Sequence, residues 1–164
     1  MWSPEGITRR AALLGLLAVA ACGLTPVYGP DGAGRRLFGR IRPQDPETFE
    51  DFAFNRRLAE RLGPEADGAL QLEYRLSIGV VSQAITPEEV TTRYSLNGTA
   101  DFALRDAAGV VLVQGRVSGF TSYSTTETTI ATLTAEADAR QRLAHMLADQ
   151  VVTRLLAASD KLPQ

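Results

Sequence analysis

Leu70-Gln71-Leu72-Glu73-Tyr74-Arg75-Leu76-Ser77-Ile78-Gly79-Val80 carries an apolar side chain at almost every second position, with Gln71, Glu73, Arg75 and Ser77 between them. Successive strand side chains point to opposite faces, so a period of two predicts a strand with one greasy and one polar face. After a break at Thr86-Pro87-Glu88-Glu89 the pattern resumes. Val90, Thr92, Tyr94, Leu96, Ala100, Phe102 and Leu104 alternate with Thr91, Arg93, Ser95, Asn97, Thr99 and Asp101. Asp106-Ala107-Ala108-Gly109 reads as a tight hairpin connection, with glycine where positive φ is needed. Val111, Val113 and Val117 then face inward on another strand, with a bulge expected near Gly115 or Gly119. Three consecutive strands predict an antiparallel meander.

On the N-terminal side, Arg36 to Arg42 alternates as a short first strand ending at Pro43. Asp45-Pro46-Glu47 offers an N-cap followed by proline at the first helical position. The helix should run to Leu62, where Gly63-Pro64 stops it, with Phe54, Leu58 and Leu62 as its apolar line and Arg56, Arg57, Glu60 and Arg61 mostly in solvent. On the C-terminal side, Ser118 to Thr134 is rich in Ser and Thr and reads as a strand running into a loop. From Ala135 the period becomes helical: Ala139, Leu143, Met146, Leu147, Val151 and Leu155 share a face, and the helix should end near Ser159. The expected fold is α+β, a four-stranded mostly antiparallel sheet with two helices packed on one face. The domain spans 36–160, followed by a short tail, 161–164.

The first thirty residues carry a different signal. Arg9 and Arg10 precede the apolar run Ala11 to Ala18, then Val19-Ala20-Ala21, then Cys22, the only cysteine of the chain. Charged start, short apolar core and small residues before a cut form an export signal, and cysteine after the cut makes it a lipobox. The eleven residues Ala11 to Ala21 are too few to span a hydrocarbon layer that needs about 20. Residues 1–21 are therefore expected to be a lipoprotein signal peptide, with Cys22 lipidated and the mature chain anchored to a membrane by acyl chains. Thr8-Arg9-Arg10 leaves export by the Sec or the twin-arginine route open. Residues 22–35, rich in glycine and proline, read as a flexible tether. Without Glu5, Arg9 and Arg10, 15 basic and 18 acidic residues remain. That balance gives nucleic-acid binding no electrostatic support.

Catalytic chemistry is hard to assemble from these residues. The single histidine, His145, sits in the last helix without a second histidine or thiol to build a metal site, and no glycine-rich phosphate loop joins a strand to a helix. One constellation remains. Pairing across Thr86-Pro87 and across the Asp106 turn would put Arg75, Thr99 and Arg116 in one row of the polar face, with Glu73, Asp101 and Gln114 in the next. The row has two readings. It is either cross-strand ion pairing, or a set of arginines, with Arg93 toward the far end, that receives phosphate groups through bidentate hydrogen bonds.

Ala20-Ala21-Cys22-Gly23-Leu24-Thr25-Pro26-Val27-Tyr28-Gly29-Pro30 resembles the start of alphaproteobacterial members of the LptE family, lipopolysaccharide-assembly lipoproteins of the outer membrane. The order strand, helix, three long strands, long final helix continues the likeness over the mature chain. The resemblance implies a non-enzymatic, cofactor-free LptE-like sandwich that plugs the LptD outer-membrane β-barrel and assists its assembly. It also implies contact with lipopolysaccharide during transport to the cell surface, and anchoring at the periplasmic face of the outer membrane. Gly23 after the cysteine supplies no aspartate retention signal, which agrees with that destination. Two other classes compete: an auxiliary lipoprotein of an envelope lipid ABC transporter and, more weakly, a periplasmic hydrolase.

Overall fold

The computed structural model describes residues 27, 29, 32–85, 91–125 and 128–162. Cys22, the signal peptide, most of the tether and the Thr86 to Val90 connection lie outside the described residues. In chain order the elements are α1 (Ala33–Leu37), β1 (Ile41–Pro43), α2 (Phe49–Leu62), β2 (Leu70–Ile85), β3 (Thr91–Arg105), β4 (Val111–Ser124) and α3 (Thr129–Ala157), then a 3-10 turn, Ser159–Lys161. The strands form one sheet in the order β1-β2-β3-β4. β2, β3 and β4 are antiparallel to one another, whereas β1 runs parallel to β2, so the sheet is mixed. A parallel pair needs a crossover, which α2 supplies.

The alternation places Leu72, Tyr74, Leu96, Ala100, Phe102, Leu104 and Val117 on one buried face. Against it lie Phe54, Leu58 and Leu62 of α2 and Leu143, Leu147, Val151 and Leu155 of α3. The Phe54 ring rests 4.5 Å from that of Tyr74, which fixes α2 over β2. Three further α3 residues, Ala144, Ala148 and Val152, are fully buried, while Met146 is 39% exposed. The apolar face of α3 is thus rotated from the expected one toward small residues, because α3 packs against α2 as well as against the sheet.

Several boundaries move for local reasons. The expected strand over 36–42 is a helix through Leu37 and a strand only from Ile41. Leu37 is fully buried and its helix packs beside the C-terminal 3-10 turn, and because that helix starts at Ala33 the last three residues of the expected tether are helical. α2 begins after Thr48, not Asp45. Thr48 Oγ1 accepts from the Asp51 amide at 3.1 Å, and the Thr48 amide donates to Asp51 Oδ2 at 3.0 Å, a reciprocal capping box. Gly63, at φ +78°, ends the helix as expected. The bulge falls at Leu112, where the β3–β4 register slips between Leu104 and Arg105, not at Gly115 or Gly119. Val111 beside it is turned out and 38% exposed.

Glycines under α3 have another use. Gly98 and Gly119 are cross-strand partners beneath α3. A Cβ on Gly98 would come within 2.9 Å of Leu143 Cδ2 and 3.2 Å of Leu147 Cδ1. The bare backbone lets the helix sit down on the sheet. Gly98→Val is therefore expected to cost about 1–3 kcal/mol by overpacking, a fall of several degrees in Tm. Gly79→Val is the control, since nothing lies within 4 Å of its Cβ position. Equal melts for the two variants would contradict this account of the helix seat.

Candidate functional site

The sheet face away from the helices is the polar surface that the alternation predicts. Its cross-strand rows are Glu73, Ala103 and Gln114; then Arg75, Asp101 and Arg116; then Ser77, Thr99 and Ser118. Arg75 and Arg116 share a row as expected, but Asp101 stands between them instead of Thr99. The face was readable and the register was not. A slide of two residues leaves every side chain on its own face, and the slide depends on the 86–90 connection and on the Leu112 bulge.

Asp101 decides what the row can do. Arg116 donates Nε to Asp101 Oδ1 at 2.5 Å and Nη2 to Oδ2 at 2.9 Å. This bidentate bond, helped by the charge of Arg75, holds the Asp101 carboxyl below its ordinary pKa and raises that of the Arg116 guanidinium. Asp101 is thus ionised across the neutral range, and Arg116 is occupied. Arg75 is exposed and makes no hydrogen bond among the described residues, so it is the guanidinium able to accept a phosphate or carboxylate. In the neighbouring row Arg105 Nε donates to Glu73 Oε2 at 2.9 Å. A shallow depression of about 830 Å³ opens here, lined among others by Gln44, Glu73, Arg75, Asp101 and Gln114.

Arg93 is not part of this group. It pairs with Ser124 at the far end of β3, eight residues from Asp101, or about 26 Å at the usual strand rise. The three sequence candidates are therefore a pair and an outlier.

The helix layer holds ion pairs, and Arg57 and Arg61, expected mostly in solvent, take part in them. Arg57 clamps Asp149 with Nε and Nη2, both at 3.0 Å, and Arg61 Nη1 reaches Asp149 Oδ1 at 2.6 Å. Arg140 joins Glu50 at 3.2 Å and Glu136 at 2.8 Å. Except for Arg140–Glu136, which lies within α3, these contacts tie α2 to α3 and are structural. The i, i+4 spacing of Arg57 and Arg61 was the available signal, but their partner lies some 90 residues on. His145 is half-buried on α3, with Nε2 buried and no hydrogen-bond partner among the described residues. No group of three or more metal-ligating side chains occurs among the described residues.

The Tyr74 hydroxyl is buried beside Asn55 under α2. Burial is the main reason that its pKa is raised, with the Asp51 charge adding to it. Asn55 in turn donates Nδ2 to the Gln44 carbonyl at 2.9 Å. This polar cluster fixes the end of β1 and presents nothing reactive to solvent.

Comparison with known proteins separates fold from function. No curated protein sequence matches the chain. A crystal structure described as a lipoprotein from Caulobacter crescentus superimposes with a TM-score of 0.65 at 21% identity, covering 80% of this chain and 98% of the other. Rare lipoprotein B from Shewanella oneidensis gives 0.54 at 13% identity, with coverages of 71% and 92%. A minor lipoprotein from Acinetobacter baumannii gives 0.53 at 15%, with coverages of 77% and 96%. At these identities the likeness is one of fold: the same small sandwich recurs at nearly full length in each. The family model described as lipopolysaccharide assembly, LptE, matches residues 40–155. That span runs from the start of β1 through almost all of α3, so the chain belongs to the LptE lipopolysaccharide-assembly family.

Proposed function

We propose that this protein is a lipid-anchored, non-enzymatic component of lipopolysaccharide transport, seated as a plug in the LptD β-barrel of the outer membrane and assisting its assembly. The observation that carries the reading is the family match across the whole sandwich. The geometry supports it. The helices cover one face of the sheet, leaving a broad polar face of Ser, Thr, Asn and paired charges, and the lumen of a large outer-membrane barrel is polar as well. None of the helices described is long and apolar enough to cross a membrane; in this reading attachment is through lipid on Cys22. Two or three acyl chains, at about 0.8 kcal/mol per buried methylene, hold where one exchanges.

Within this reading Arg75 is the residue that meets an anionic group of lipopolysaccharide, with Arg116 adding charge to the row and Arg93 acting separately at the far end. Crosslinking and affinity capture from native membranes tests the role. Recovery of a large β-barrel supports it, whereas recovery of a lipid ABC transporter overturns it in favour of an auxiliary subunit. Cys22→Ala is expected to leave an uncleaved or soluble form, and mass spectrometry of the mature wild-type chain should show acyl mass on its first residue. An unmodified N-terminus at another position would remove the anchor from the proposal.

A further inference from the structure

The sheet has two outer edges, and the chain treats them differently. On β4 the Ser118 and Ser122 carbonyls point out of the sheet. Gln150 Nε2 donates to the first at 3.0 Å and Arg142 Nη2 to the second at 3.4 Å. The bulge at Leu112 further disrupts that edge near its start. Such features block the addition of another strand.

The outer edge of β2 lacks them from Leu76 to Val81, its own register shifts falling only between Ser82 and Ile85. Leu70 N donates to Arg40 O at 2.9 Å, Gln44 N to Leu72 O at 2.9 Å, and Tyr74 N to Gln44 Oε1 at 3.0 Å. Even-numbered residues of β2 thus direct their backbone groups away from β3. β1 stops at Pro43, and Gln44 completes its pairing. Beyond it, the same alternation turns the amides and carbonyls of Leu76, Ile78 and Val80 outward, with no strand partner among the described residues. Leu76 to Ile85 contains no charged residue and no proline, in a chain that is 22% charged. Val80 and Val81, one on each face, are 44% and 51% exposed.

We propose that the β2 edge from Leu76 to Val80 is a docking edge, which takes an extended, uncharged segment of a partner protein as an added strand in line with β1. The donors and acceptors there are spaced for extended backbone, and the missing charges select a neutral segment. The tether of this chain cannot serve. Val27 is held by Gly34 N at 2.8 Å beside α1, at the Leu70 end of β2. Cys22 to Val27 spans at most about 18 Å, while Val80 lies ten residues, about 33 Å, up the strand. The assignment rests on the assembly role proposed above, with the segment belonging to the barrel partner.

The test compares the purified full chain, alone and in complex with the LptD barrel of the same organism, by amide hydrogen exchange at Leu76, Ile78 and Val80. A companion variant is Val80→Pro. It deletes an outward N–H that β3 does not use, at an edge where proline is tolerated, so its melt should stay near wild type. Exchange at the three amides is expected to be fast in the free chain and strongly protected in the complex. Val80→Pro should lower recovery of the complex roughly tenfold, the equivalent of about one lost hydrogen bond. A complex that forms with these amides still unprotected overturns the docking edge and leaves the barrel role standing. Failure of the wild-type chain to form any complex removes the barrel role and the edge assignment with it. Protection already present in the free chain, with a concentration-dependent dimer, assigns the edge to a second copy and overturns the partner segment.

Discussion

Leu104→Asp is expected to abolish cooperative folding. Leu104 has no solvent exposure and sits in the middle of the sheet between Leu72 and Val113. A carboxylate there has no cation within the apolar layer, and burying an unpaired charge costs several kcal/mol even after relaxation. The whole stability of a domain this size is about 5–15 kcal/mol. Ser77→Asp provides the contrast on the same sheet. Its side chain lies on the polar face opposite Thr99, stays in water, and should shift the melt by a degree or two. Circular dichroism melts of both variants decide the matter. A cooperative transition for Leu104→Asp at the wild-type temperature would mean that the assignment of faces is wrong.

Legibility of the fold followed the range of the signal. Alternation is a local property, so the faces of β2 and β3 could be read residue by residue, and the core on Leu72, Tyr74, Phe102 and Leu104 followed. Depth could not be read that way. Leu76 and Ile78 are only half-buried, and Val80 is exposed, because the helix layer does not reach that end of β2. The onset of α3 was missed by six residues for a related reason. Its first turns put Ile130 and Leu133, 80% and 61% exposed, into solvent, so no apolar stripe announces them. The parallel pairing of β1 was illegible too, since three residues carry no period and their partner is chosen by the path of α2. In the candidate site, the face of Arg75 and Arg116 was legible while the identity of the residue between them was not. Register is set by turns and bulges, and a two-residue slide leaves the hydrophobic pattern unchanged.

That slide sharpens the second large expectation, a loss of lipopolysaccharide affinity in Arg75→Glu. With Asp101 committed to Arg116 through two hydrogen bonds, Arg75 is the member of the row whose donors are available. A charged hydrogen bond is worth about 1.5–3 kcal/mol, so its removal should weaken binding by roughly 10- to 100-fold. Reversal of the charge beside an ionised Asp101 adds repulsion of the same sign. The loss should shrink as salt is raised and exposed charges are screened. Arg116→Glu is expected to act differently: it removes the partner of Asp101 and sets two carboxylates side by side, so its effect should include a lower melting temperature. Measuring affinity and melt on one preparation of each variant separates recognition from local pairing. If Arg75→Glu is folded and binds like wild type at low salt, the row is a structural ion pair with a spectator arginine. The proposed recognition of a lipid anion would then lose Arg75 as its carrier, with Arg93 at the far end of β3 the next position to reverse.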